Sequence, residues 1–109
     1  MNLKNWKTQL RKGLLEIAIL IYLRKGRSHG YEIVQMLKQI DGFEMREGNI
    51  YPILARLQSD KLVTCTAEPS RDGPPRKYFE LTTNGKKTLA EMTAHWDKLV
   101  ASIDRTRKG

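Results

Sequence analysis

The chain has 109 residues, 39% of them hydrophobic and 29% charged, which suffices for one domain with one modest core. Lys and Arg number 20 against 12 Asp and Glu, and the net charge of +8 points to a polyanionic partner, nucleic acid before an anionic membrane. A single cysteine, Cys65, excludes an intrachain disulfide and a Cys-rich metal site, and no apolar run nears the ~20 residues of a bilayer helix, so the expectation is a cytoplasmic domain with no membrane partner and no cofactor.

Leu3, Trp6 and Leu10 recur at helical spacing and lead into Leu14, Ile17 and Ile21. Ile19, Leu20 and Leu23 fill the opposite side, so this first helix is expected to be central, with other elements covering several faces. Gly26 is its C-cap candidate, and Ser28 is the N-cap expected for a second helix. That helix carries the stripe Ile33, Leu37 and Ile40 with Val34 beside it, and Asp41-Gly42 breaks it. A third helix carries Ile50, Ile53, Leu54 and Leu57 at i, i+3, i+4, i+7. Pro52 has no N–H and fits only a first turn, so the helix begins near Asn49. Asn49, Ile50 and Tyr51 therefore sit at its leading end.

After Asp60-Lys61 the pattern becomes strand-like. Leu62 to Thr66 and Arg76 to Leu81 are two strand candidates, and the stretch Pro69 to Pro75 between them is dense in turn residues, with Asp72-Gly73 the sharpest turn signal. Thr82 or Thr83 caps a last helix. Its apolar positions Leu89, Met92, Trp96, Leu99 and Ile103 step by 3, 4, 3, 4, a heptad seam. A seam this narrow packs on one facing helix, either in a second subunit or the first helix of its own chain, or on both. The fold class is mainly α with a small β-hairpin: a winged helix-turn-helix over residues 1–81, followed by a C-terminal dimerisation helix over 82–109, the two forming one compact unit. A helix end suits a major groove, and a basic hairpin tip suits phosphates.

Several strings also resemble one family. Lys12-Gly13-Leu14-Leu15-Glu16-Ile17-Ala18-Ile19-Leu20 is similar to the opening of the PadR family of bacterial transcriptional regulators, as is Gly30-Tyr31-Glu32-Ile33. Asn49-Ile50-Tyr51-Pro52-Ile53-Leu54-Ala55-Arg56-Leu57 resembles its recognition helix. Gly73-Pro74-Pro75-Arg76-Lys77-Tyr78-Phe79 resembles its wing, and Leu81-Thr82 with Gly85 resembles the approach to its last helix. The short C-terminal region, a single helix, is similar to the smaller subfamily. The resemblance implies a homodimeric repressor on double-stranded DNA, with the recognition helices addressing successive major grooves of a palindromic operator and release by a small, often aromatic, effector. The chain departs from the family at Gly48-Asn49-Ile50, where Gly-Thr-Leu is usual, so its operator preference is expected to differ.

The DNA-contact candidates are Tyr31, Asn49, Ile50, Tyr51, Arg56, Arg71, Arg76 and Lys77. All but Ile50 have a plain structural alternative: N-capping for Asn49, packing for Tyr31 and Tyr51, an ion pair with Asp60 for Arg56, and a solvated face for the wing cations. Strand alternation sets Arg76 and Lys77 on opposite faces, which assigns them different tasks. The N-terminal cations Lys4, Lys7, Arg11 and Lys12 either flank DNA or form a solvated helix face. Trp6, Met92 and Trp96 are candidates for an effector cleft, with interface anchoring as the alternative. Leu3, Leu10, Leu89, Met92, Trp96, Leu99 and Ile103 are the dimer-interface candidates. His29, His95 and Cys65 show no spacing for catalysis or metal binding. Two function classes follow: a sequence-specific dimeric repressor, or a winged-helix module that binds an effector or a protein and has lost sequence-specific DNA binding.

Overall fold

The first helix, α1 (Leu3–Leu23), is the axis on which the other elements pack. In the computed structural model, which describes residues 1–109, the Asn2 side chain starts this helix by accepting from the Asn5 N–H at 2.8 Å. Strand β1 (Ser28–His29), α2 (Gly30–Lys38), a 3-10 turn (Glu47–Asn49), α3 (Ile50–Ser59), β2 (Val63–Ser70), β3 (Gly73–Leu81) and α4 (Thr83–Lys108) follow in order. The strands form one antiparallel sheet in the order β1-β3-β2. This is a mainly helical winged-helix architecture. No helix is long and apolar enough to cross a membrane.

Strand β1 has no counterpart in the sequence reading. Two residues carry no periodicity, yet Ser28 and His29 pair with Phe79 and Tyr78 and fix the sheet against the start of α2. The helix consequently starts one residue later than expected, with His29 rather than Ser28 at the cap. Gly26 does not cap α1, which ends at Leu23 with Arg24 still in the right-handed region. Its φ of +144° instead lets the chain turn toward β1. The hairpin strands extend to Ser70 and Gly73, leaving only Arg71 and Asp72 in the turn. Between the pairs Glu68–Arg76 and Ser70–Gly73, one residue of β2 (Pro69) faces two of β3 (Pro74 and Pro75). Proline cannot donate to the ladder, so the register shifts there.

One core holds the fold together. Leu15, Ile19, Leu20 and Leu23 of α1 meet Ile33, Val34 and Leu37 of α2, Ile50, Leu54 and Leu57 of α3, and Val63, Phe79 and Leu81 of the sheet. Two expectations are corrected here. Ile50 is fully buried in this core, because the 50/54/57 spacing turns it inward, and it is not available to DNA. Leu89 is 3% exposed and belongs to the same core, so it is not part of an open seam. The first turns of α4 lie over the body of the domain and only its later turns leave it. Gly85 permits this close approach: a Cβ there would overlap the carbonyl oxygen of Leu62. Thr82 adds the cap, its hydroxyl accepting from the Gly85 N–H at 2.8 Å and donating to the Lys61 carbonyl at 2.7 Å. The 26 residues of α4 extend about 39 Å and draw the molecule out to 57 × 31 × 21 Å.

Gly85→Ala is expected to destabilise the fold by about 1–3 kcal/mol, because the overlap is with backbone. Leu54→Ala, in the middle of the core, is expected to cost about 2–5 kcal/mol. Urea unfolding curves measure both. An unchanged midpoint for Gly85→Ala contradicts the close approach of α4 to Leu62.

Candidate nucleic-acid interface

The inward turn of Ile50, Leu54 and Leu57 decides what α3 shows to solvent. Tyr51, Ala55 and Gln58, at i, i+4, i+7, run along one side and line a cleft of about 530 Å³. The far wall is the wing, with Arg76 and Lys77 on β3 and Cys65 on β2. The start of α2 closes the end with His29, Gly30 and Tyr31. Tyr51 is 48% exposed and Tyr31 62%, large aromatic surfaces left open to solvent. No carboxylate is among the lining residues and the cations are Arg76 and Lys77, while the Tyr51 hydroxyl donates to Glu47 at 3.5 Å. Alternation does place Lys77 on the same face of β3 as Phe79 and Arg76 on the face of Tyr78, yet both cations line the cleft, so the separation of tasks expected from alternation is not a separation of place.

The wing is also tied to the segment that precedes β1. Arg27, between α1 and β1, pairs with Glu68 on β2 and lies over the Tyr78 ring at 4.3 Å. This contact holds the Glu68 carboxyl below the usual carboxylate range and raises the Arg27 guanidinium further. The His29 ring stacks on Tyr31 at 6.3 Å and meets the Tyr78 ring edge-on at 5.7 Å. At the start of α2 the Glu32 carboxylate accepts from the His29 N–H and from the Ser28 hydroxyl, both at 3.1 Å. These bonds favour the charged form and hold Glu32 below the ordinary carboxylate value, the His29 N–H contributing most.

The remaining candidates fall elsewhere. Arg71 sits in the hairpin turn, outside the cleft. Asn49 and Arg56 lie on the other side of α3, facing α1. Arg56 pairs with Glu16 of α1 and not with Asp60. The Asn49 side chain makes no capping bond. Met92 and Trp96 line a groove of about 420 Å³ between α1 and α4, together with Leu10, Leu14, Ile17 and Leu99. Trp6 is exposed and stands one turn before Leu10 on α1, outside that groove. Leu3, Leu10, Trp96, Leu99 and Ile103 are all exposed, whereas Leu89 is not. Ala55 and Gln58, which also line the cleft, are not among the DNA-contact candidates of the sequence. Their spacing from Tyr51 carried the signal.

Comparison with known proteins decides the family. The profile described as "Transcriptional regulator PadR-like family" matches residues 19–91. The chain belongs to this family. A crystal structure of a PadR-like transcriptional regulator from Bacillus cereus is 34% identical, covers 93% of this chain and 98% of its own, and superposes with a TM-score of 0.81. A PadR-like transcription factor from Bacteroides fragilis is 39% identical over 93% of this chain and 97% of its own, with a TM-score of 0.77. The negative transcriptional regulator PadR of Bacillus subtilis is 32% identical over 78 residues, which are 70% of this chain and 43% of that protein. This PadR-like chain thus spans under half the length of that regulator. The resemblance read from its strings and the winged-helix fold agree with the family, which is one of transcriptional regulators.

Glu32 ties this PadR-like domain's stability to pH. Its folded-state pKa is lowered, so its contribution is complete above the ordinary carboxylate value and is lost as pH falls through the lowered one. Thermal melts from neutral to acidic pH are expected to lose this part of their slope in Glu32→Gln. An identical pH profile in the variant contradicts the cap.

Proposed function

We propose that this PadR-like regulator is a homodimeric repressor that binds a palindromic operator through its winged helix and is released by a small aromatic effector. One observation carries the DNA reading: Tyr51 on α3 and Arg76 and Lys77 on the wing line one cleft with no carboxylate in it. A helix presenting polar side chains fits a major groove of about 12 Å, while the wing cations reach phosphate. Tyr51 and Tyr31 set the register, Asn49 donates to phosphate on the α1 side of α3, and Arg71 reaches phosphate from the turn. Charge supplies affinity and the polar groups supply selection. The alternative of a winged-helix module without sequence-specific DNA binding gains no support from this carboxylate-free cleft.

The dimer reading rests on the exposed apolar face of α1 and α4. Leu3, Trp6 and Leu10 on one helix and Trp96, Leu99 and Ile103 on the other stand open in a single chain. Contiguous apolar surface of this kind marks a contact site, and a two-fold copy covers it with the same residues. Residues 1–81 then carry the DNA contacts, and 82–109 carry the dimer contacts together with the α1 face of Leu3, Trp6 and Leu10. The groove lined by Met92 and Trp96 accepts a flat ligand by stacking on the indole. Occupation of that groove changes the spacing of the two recognition helices, and so releases DNA.

Tyr51→Ala and Arg76→Ala are each expected to weaken binding to the DNA upstream of the protein's own gene by about tenfold or more. A gel-shift series at fixed salt measures this. Wild type binding that DNA no better than a scrambled duplex rejects sequence-specific repression. In sedimentation, Trp96→Ala and Leu99→Ala are expected to shift the protein toward monomer at micromolar concentration. An undiminished dimer in both variants rejects the α1–α4 face.

A further inference from the structure

We infer that α1 and α3 enclose a second phosphate-binding site, on the opposite side of α3 from the wing cleft, in which Glu16 holds Arg56 in reserve. Its DNA role rests on the operator reading above, whereas its anion chemistry does not. Thr8, Arg11, Lys12 and Glu16 fall at helical spacing on one face of α1. Asn49 and Arg56 fall on the facing side of α3, and the two helices bound a cleft of about 450 Å³. Three cations and one carboxylate line it, so it carries a net positive charge. Arg11 is half-buried in it and Lys12 is exposed.

The one carboxylate is already engaged. The Arg56 guanidinium pairs with Glu16, with the Arg56 side chain 55% exposed and that of Glu16 31%. An ion pair this open is worth little against water, so exchanging Glu16 for a doubly bonded phosphate costs little and gains a charge-assisted fork. The Asn49 amide makes no capping bond, and the first turn of α3 carries no acidic residue. Glu47 precedes this helix end, so the donor left facing the same cleft is the Asn49 amide.

The position gives the site its purpose. Tyr51, Ala55 and Gln58 face the wing, and Asn49 and Arg56 face α1. A helix in a major groove has a phosphate strand along each wall. The wing serves one strand, and Arg11, Lys12 and Arg56 serve the other. The shared chemistry is a phosphate group, held either in the DNA backbone or in a free phosphate-bearing ligand.

Salt titrations separate the sources. Binding of wild type, Arg11→Ala, Arg56→Ala and Glu16→Gln is measured against the upstream duplex and against a scrambled one. Each lost cation is expected to flatten the slope of log affinity on log salt by about 0.9 on either duplex. Glu16→Gln is expected to bind roughly two- to fivefold tighter, since Arg56 is no longer held. In parallel, inorganic pyrophosphate is titrated into the free protein and melting is followed. Flattened slopes without stabilisation by pyrophosphate assign the site to the DNA backbone. Stabilisation that the Arg11→Ala/Arg56→Ala double variant loses, with unchanged slopes, assigns it to a free ligand. Unchanged slopes, no tightening in Glu16→Gln and no pyrophosphate effect together overturn the site. Equal wild-type affinity for both duplexes rejects operator selection alone, because the slopes still count phosphates on the scrambled duplex.

Discussion

The rotation of one ten-residue helix about its axis governs what this protein presents to solvent. Ile50, Leu54 and Leu57 enter the core at i, i+4, i+7, each side chain worth about 1.5–3 kcal/mol of burial. With that face fixed, Tyr51, Ala55 and Gln58 must line the wing side, and Asn49 and Arg56 must line the α1 side. The short β1 and the Arg27–Glu68 contact then hold the wing at the distance that makes a cleft. Neither clasp is strong alone. The sheet register and the core residue Phe79 hold the wing as well.

Charge is distributed to match this frame. The net +8 is not spread evenly, since the wing cleft has cations and no carboxylate, while the α1–α3 cleft has cations and one engaged carboxylate. Cations therefore stand on both flanks of α3. The helix itself, with Tyr51 and Asn49 at its leading end, contributes shape and hydrogen bonding more than charge.

Much of this was legible in the sequence, because the period changes sharply. Four helices and the hairpin follow from 3.6-residue and two-residue repeats, and the position of Pro52 fixed the start of α3. The misses have physical causes. A two-residue strand such as β1 is made by its partner strand and leaves no pattern. Ile50 lies inside a string that resembles a recognition helix, but a family string does not say which way each side chain turns. The heptad seam of α4 is real as a spacing, yet spacing cannot tell one partner from two. Leu89 packs on its own chain because Gly85 brings the first turns close, and Trp96 to Ile103 remain exposed where the helix leaves the body. The Arg56–Glu16 pair joins residues forty apart and has no local signal.

The central claim is that two copies of this frame place two α3 helices in successive major grooves. Hydroxyl-radical footprinting on the DNA upstream of the gene tests it most directly. The account predicts two protected patches related by a two-fold axis and separated by one helical turn, about 10 base pairs. A single patch, or uniform protection along the duplex, would contradict it.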